Sequence, residues 1–385
     1  MFSSNDAPRP RVRQIRRRSS ILATLVLLLS LLAACGGADP TSAPAGGSTS
    51  TTAPAPATGG REKPFTIGIS NGFVGSEWRT QMLSELEKVN AEYKAAGLTT
   101  DLVLESDDTD VQGQTQQIRN LINRDVDAII INPNSQTALN GVIQEATDAG
   151  IVVIAIDQEI SAPKAVNVVI DQTEWARMSA TWMAEQLGGK GNIVIINGIA
   201  GHPANEARYN GVKEVLAKYP DIKVLNVGNG NWDQATGQQV MSDLLASQPN
   251  IDAVWTQDGM AQGVLQAIST ANPAKWPLVV GEARAGYMQL WSKVAETKPE
   301  FTSYGVINPP GVGASGLRVA VELLQGRKFK DGTLKGPYGN SLYVPIPGTV
   351  GKDNFTAELA KVKDLPASYV LDGQISESEA KAYFQ

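Results

Sequence analysis

The feature that most constrains this chain is an alternation. From Pro64 onward, short β-branched and apolar runs recur at 65–70, 100–106, 127–132, 151–157 and 166–171, with amphipathic helical stretches at 79–96, 112–124 and 136–149. A second series follows at 191–198, 222–228, 251–257, 277–282 and 301–307, with helices near 204–218, 233–247 and 258–270. Nearly continuous hydrophobic strands that alternate with helices predict parallel sheets covered on both faces. About 320 residues are long for one core and suit two lobes. The expected fold is therefore α/β, with two doubly wound parallel-sheet lobes.

Upstream, Arg9 to Arg18 carry six arginines, and Ile21 to Leu32 are almost wholly apolar. A basic n-region and an apolar h-region of about a dozen residues read as an export signal, because a membrane-spanning helix needs roughly 20. The only cysteine, Cys35, follows Leu32-Ala33-Ala34. A lone thiol forms neither an internal disulfide nor a thiolate metal site. Placed here it resembles the lipid-accepting cysteine of a bacterial lipoprotein. Residues 1–34 are read as the signal, and 35–63, rich in Gly, Ser, Thr, Ala and Pro, as a disordered spacer that holds the body off a bilayer. Arg17-Arg18 leave export by the general or the twin-arginine route open. Without the signal, 27 basic and 38 acidic residues remain, a net charge of −11. Such a surface argues against nucleic acid as a partner.

In open parallel sheets, ligands sit outside the carboxyl ends of the strands. The residues there are polar. Glu77, Trp78 and Arg79 lie together after the first strand, Asp108 after the second, and Asp157 with Gln158 after the fourth. In the second series the corresponding residues are Arg208, Trp232, Asp258 and Glu282, and Asn308 follows the last strand. Aromatic faces beside carboxylates and guanidinium groups suit a sugar: C–H faces stack, and hydroxyls take bidentate charged hydrogen bonds. Trp175, Trp182, Trp276 and Trp291 are read as packing.

Enzyme signatures are thin. His202 is the only histidine, so nucleophilic triads and histidine-rich metal sites have little to draw on. The run 311–316 fits G-x-G-x-x-G, yet Pro309 and Pro310 precede it and no acidic strand end follows at the needed distance. Close helix packing explains it better than a dinucleotide. No cofactor and no metal are expected.

At these positions the chain resembles the type I periplasmic sugar-binding proteins of ABC importers, over roughly 64–345. The resemblance is carried by INPNSQTAL, IVVIAIDQE, INGIAGHPANEARYNGVKEVL and NWDQATGQQVMSDLLASQPNIDAVWTQDGMAQGVLQAI, and GSEWRTQM is similar to galactofuranose-type members. It implies that Trp78 stacks on a sugar, and that Asp157, Arg208, Trp232 and Asp258 contact it. Gln158 stands where an arginine is frequent. Ala283 lies between Glu282 and Arg284 where an aspartate is usual, and Asn308 is the nearest amide to a missing glutamine. The resemblance also implies a three-stranded hinge with crossings near 171, 307 and 344. Segments 64–171 and 308–344 would form one lobe, and 172–307 with 345–385 the other. The expected partners are a small sugar or polyol, an ABC permease in the cytoplasmic membrane and the bilayer through lipidated Cys35. The protein is expected outside the cytoplasm, as a monomer and not an enzyme. A ligand-presenting component of a sugar or autoinducer sensor is the alternative that the residues leave open.

Overall fold

The computed structural model describes residues 63–248 and 250–385. The expected signal, spacer and lipidated Cys35 lie outside the described residues, apart from Lys63.

The first sheet is built from β1 (Ile67–Asn71), β2 (Val103–Ser106), β3 (Ala128–Asn132), β4 (Val152–Ile156), β5 (Val166–Val169) and β11 (Ser341–Tyr343), in the order β11-β5-β4-β3-β1-β2 and parallel throughout. Between these strands run α1 (Glu77–Ala95), α2 (Val111–Asn123) and α3 (Asn140–Asp148). Strand β3 shows why the layers form. Its run Ala-Ile-Ile-Ile has no polar face, and successive side chains point to opposite sides of a sheet. Ala128 and Ile130 pack with Met82 and Leu86 of α1, whereas Ile129 and Ile131 pack with Ile118 and Leu121 of α2. On α1, Met82, Leu86, Val89 and Tyr93 fall on one buried face. Burying each side chain of this kind contributes about 1.5–3 kcal/mol.

The second sheet has the order β12-β10-β9-β8-β6-β7. It comprises β6 (Lys190–Asn197), β7 (Asp221–Asn229), β8 (Ala253–Thr256), β9 (Leu278–Val280), β10 (Ser303–Val306) and β12 (Thr349–Val350), the last antiparallel to β10. Its helices are α4 (Gln172–Gln186), α5 (Pro203–Leu216), α6 (Gln234–Ser247), α7 (Ala261–Ala271), α8 (Ala285–Thr297) and α10 (Phe355–Val362). Asp110, Asp171 and Asp233 cap α2, α4 and α6 through backbone N–H groups three residues on. Such caps fix where a helix leaves its strand.

The chain crosses between the sheets after β5, after β10 and after β11. Helix α9 (Val312–Leu324) returns to the first sheet. A Cβ on Gly313 would lie 2.9 Å from Met82, and one on Gly316 would lie 2.6 Å from Ile156. The glycine run thus serves close packing of α9 on α1 and β4.

Two expectations need correcting. Trp78 does not precede the first helix, expected at 79–96: α1 begins at Glu77, so Trp78 sits in its first turn with Arg79, and both are buried. Residues 345–385 do not all join the second lobe. Strand β12 and helix α10 do, residues 367–371 touch both lobes, and α11 (Glu377–Ala382) packs on α9 of the first lobe, where Phe384 pairs with Phe329. The aromatic rings of that pair stack 4.4 Å apart, which fastens residues 377–385 to the first lobe.

Candidate functional site

The carboxyl ends of both sheets face one cavity of about 440 Å3, its mouth included. The first lobe contributes Phe73, Ser76, Trp78, Arg79 and Asp157 to its wall. The second contributes Ala204, Arg208, Trp232, Asp258, Gly259 and Arg284, and Asn308 sits at the crossing after β10.

Asp157 follows β4 with φ +69, a left-handed backbone that L-residues other than Asn and Asp rarely adopt. The residue is buried. Burial pushes its carboxyl above the ordinary range, and the guanidinium groups of Arg79 and Arg208 oppose that rise. Gln172 Nε2 donates to the Asp157 carbonyl at 3.0 Å. Arg79 donates to Asn71 Oδ1 at 2.7 Å, and its burial lowers its pKa to about 10, with Asp157 pulling the other way.

Arg208, in the second turn of α5, lies over the ring of Trp175 at 4.3 Å. It donates to Gln172 Oε1 at 2.8 Å and to Asp258. Asp258 also accepts from Asn308 Nδ2 at 3.1 Å. Asn308 Oδ1 is buried with no hydrogen-bond partner. A buried acceptor without a partner costs about 1–3 kcal/mol, and a ligand hydroxyl would satisfy it.

Trp232 is held from several sides. Its Nε1 donates to Gln257 at 2.8 Å, and His202 meets its ring edge-on at 4.7 Å. A Cβ on Gly198 would lie 2.1 Å from its Nε1, so only glycine lets the indole lie there. Asn231 and Trp232 both have φ +55. Non-glycine residues in this region cost about 1–3 kcal/mol, and such strain concentrates at ligand clamps. His202 is half-buried, and its pKa is driven down to about 3 by desolvation, then by Arg79 and Arg208, so it stays neutral.

Four candidates lie outside the cavity wall. Glu77 is mostly exposed and pairs with Arg284 across the cleft at 2.9 Å. Asp108 accepts from Val74 N at 2.7 Å and so braces the loop after β1. Gln158 turns away from the cavity: its Nε2 donates to Asn132 Oδ1 at 2.8 Å and to the Pro133 carbonyl. Glu282 is buried beneath the wall, where it accepts from Gly259 N, from Gln234 at 2.7 Å and from Arg284 Nε at 3.2 Å. Glu282 spends its oxygens on these protein donors, which leaves it little to offer a ligand.

Sequence reasoning missed Phe73, Ser76, Ala204, Gly259 and Arg284 as wall residues. Phe73 sits in the polar loop after β1 and could have been found there. Arg284 could not: its guanidinium is aimed by Glu77 and by the Ser368 carbonyl, 2.8 Å away and far along the chain. Among the described residues no group of three His, Cys, Asp or Glu side chains could hold a metal ion.

A family model described as the periplasmic binding protein domain matches residues 67–328. The chain belongs to that family. This binding protein is 38% identical over 182 residues to the xylitol-binding protein of Mycolicibacterium smegmatis, across 46% of this chain and 52% of that one. It therefore spans about half the length of that relative. It is 27% identical to the ribose import binding protein of Bacillus subtilis over 83% of this chain and 97% of that one. Among solved structures it superposes on an ABC transporter solute binding protein from Thermobispora bispora with TM-score 0.72 at 28% identity, covering 83% and 94% of the two chains. That likeness agrees with the two parallel-sheet lobes read from the alternating pattern.

Proposed function

We propose that this chain captures one small, uncharged polyhydroxylated molecule, a sugar or polyol, between its lobes and delivers it to an ABC permease. The observation that carries this reading is the meeting of Asp157 and Arg208, from different lobes, in the wall of one cavity. A molecule held by both favours the closed arrangement, because it gains contacts there that an open cleft lacks. Charge supports a neutral ligand. Arg208 faces Asp258 and Arg284 faces Glu282 and Glu77, so most of the formal charge is already matched within the protein. The names of the xylitol-binding and ribose import relatives support the same class.

The chain works outside the cytoplasm as a monomer, tethered to the membrane by a lipid on Cys35, and makes or breaks no bond in its ligand. Among the described residues no helix is long and apolar enough to cross a membrane. A thermal-shift screen against sugars and polyols tests the proposal, since binding to the folded state raises apparent stability by mass action. The bound compound should be recovered chemically unchanged, and solution scattering should show compaction. No shift with any sugar or polyol, or recovery of an altered product, would refute it.

A further inference from the structure

Residues 367–372 lie beyond the part of the chain that matches the family, and they touch both lobes. On the second lobe they form a short pairing with the approach to α8. Leu371 N donates to Ala283 O at 2.8 Å, Ala285 N to Tyr369 O at 2.8 Å and Gly286 N to Ala367 O at 2.9 Å. On the first lobe, Gln81 of α1 binds Val370 twice. Its Nε2 donates to the Val370 carbonyl and its Oε1 accepts from Val370 N, both at 3.0 Å. Asp372 Oδ1 then accepts from Gly311 N, at the start of α9, at 2.7 Å.

The fit is close at both ends. A Cβ on Gly286 would lie 2.9 Å from Ala367 O, and one on Gly311 would lie 2.7 Å from Gly373 O. Real Cβ atoms essentially never come so near, so this segment is seated against each lobe through a glycine. The same segment supplies the Ser368 carbonyl that holds Arg284, a cavity-wall residue, in line with Glu77.

We propose that residues 367–372 are a latch across the side of the cleft, and that Gln81 and Asp372 are positioning residues that set ligand affinity by holding the lobes together. A side-chain amide that both donates to and accepts from one backbone unit holds a fixed register, and breaking it removes one of the ties between α1 and the second lobe. The idea rests on the reading that the cleft opens and closes around a ligand, and its test separates the two.

In the full chain with Cys35→Ser, nitroxide labels on Glu87→Cys and Lys293→Cys report the separation of α1 and α8 by pulsed electron resonance, with no ligand added. Gln81→Leu and Asp372→Ala should each shift the distances to longer values. Asp372→Asn keeps an acceptor for Gly311 N and should restore the parental distribution, which a merely structural aspartate would not require. Xylitol and D-ribose serve as probes of affinity, and Gln81→Leu should weaken whichever binds by about 5- to 30-fold, mainly through faster dissociation. Longer distances with neither probe bound would support the latch and count against the ligand reading. Unchanged distances in both Gln81→Leu and Asp372→Ala would overturn the latch, whatever the probes do.

Discussion

The indole N–H of Trp78 donates to the main-chain carbonyl of Asn308 at 2.8 Å, although 230 positions separate them. This bond joins the first turn of α1 to the crossing after β10. Trp78 is also packed with Met82 and Leu86 in the core. Trp78→Ala should therefore cost stability before it costs affinity, about 3–5 kcal/mol for removing a buried tryptophan. Trp232 is only partly buried, and its truncation should leave the melting temperature nearly unchanged while weakening binding by about 1–3 kcal/mol. Denaturant unfolding and calorimetry on the two variants check this contrast. Equal destabilisation of both would show that Trp232 is also a core residue.

Asp157→Asn removes a charge yet suits the left-handed backbone at that position. We expect at least a 30-fold loss of affinity, since breaking a desolvated charged contact commonly costs about 2–5 kcal/mol. The unliganded protein should melt at the same temperature or slightly higher, because a buried carboxylate has gone. Asp157→Ala should lose affinity similarly but melt lower, from strain at positive φ. Wild-type affinity in both variants would remove Asp157 from the site.

Asp372 supplies a pH dependence. Desolvation raises its carboxyl to about 6, against the N–H donors of Gly311 and Gly373. Glu85 and Lys88 of α1 face it, one raising and one lowering its pKa, and Tyr369 lies beside it on the tail. The folded state holds this proton more tightly than the unfolded chain, so its contribution is complete below about pH 4 and fades as pH rises to about 6. Asp372→Asn, neutral throughout, should stabilise the protein at pH 7–8 by up to about 2–3 kcal/mol and by well under about 1 kcal/mol at pH 4. Urea unfolding at both pH values reads this directly, and an equal effect at pH 4 would assign it to something other than ionisation.

Cys35→Ala should release the protein from membranes into the surrounding fluid. Cell fractionation followed by a high-salt wash is the measurement. A variant that still sediments with membranes would leave the lipid tether without support.

Much of the fold was legible because its signals are local. The unbroken run Ala128 to Ile131 needs helices on both faces, and a strand's end announces where Asp157, Arg208 and Asp258 will meet. What stayed hidden depends on pairs remote in sequence. Gln81 and Val370 are 289 positions apart, and nothing near either hints at the other. Glu282 shows the same limit from the other side. Its place after a strand resembles that of Asp258, but only the packed neighbours Gly259, Gln234 and Arg284 reveal that its oxygens are already engaged. Trp78 was misplaced by a shift of two residues in the start of α1, enough to move it from the loop after β1 into a helical first turn packed in the core.

The left-handed backbone at Asp157 also limits how such a site can change over time. Only Asn, Asp and Gly adopt that conformation cheaply, so a descendant that takes a different ligand has few substitutions available there. Ala204 and Phe73 carry no such restriction, being wall residues of ordinary backbone geometry. Drift in ligand preference should therefore run through those two positions, with Asp157 as the fixed point around which the rest of the pocket is rewritten.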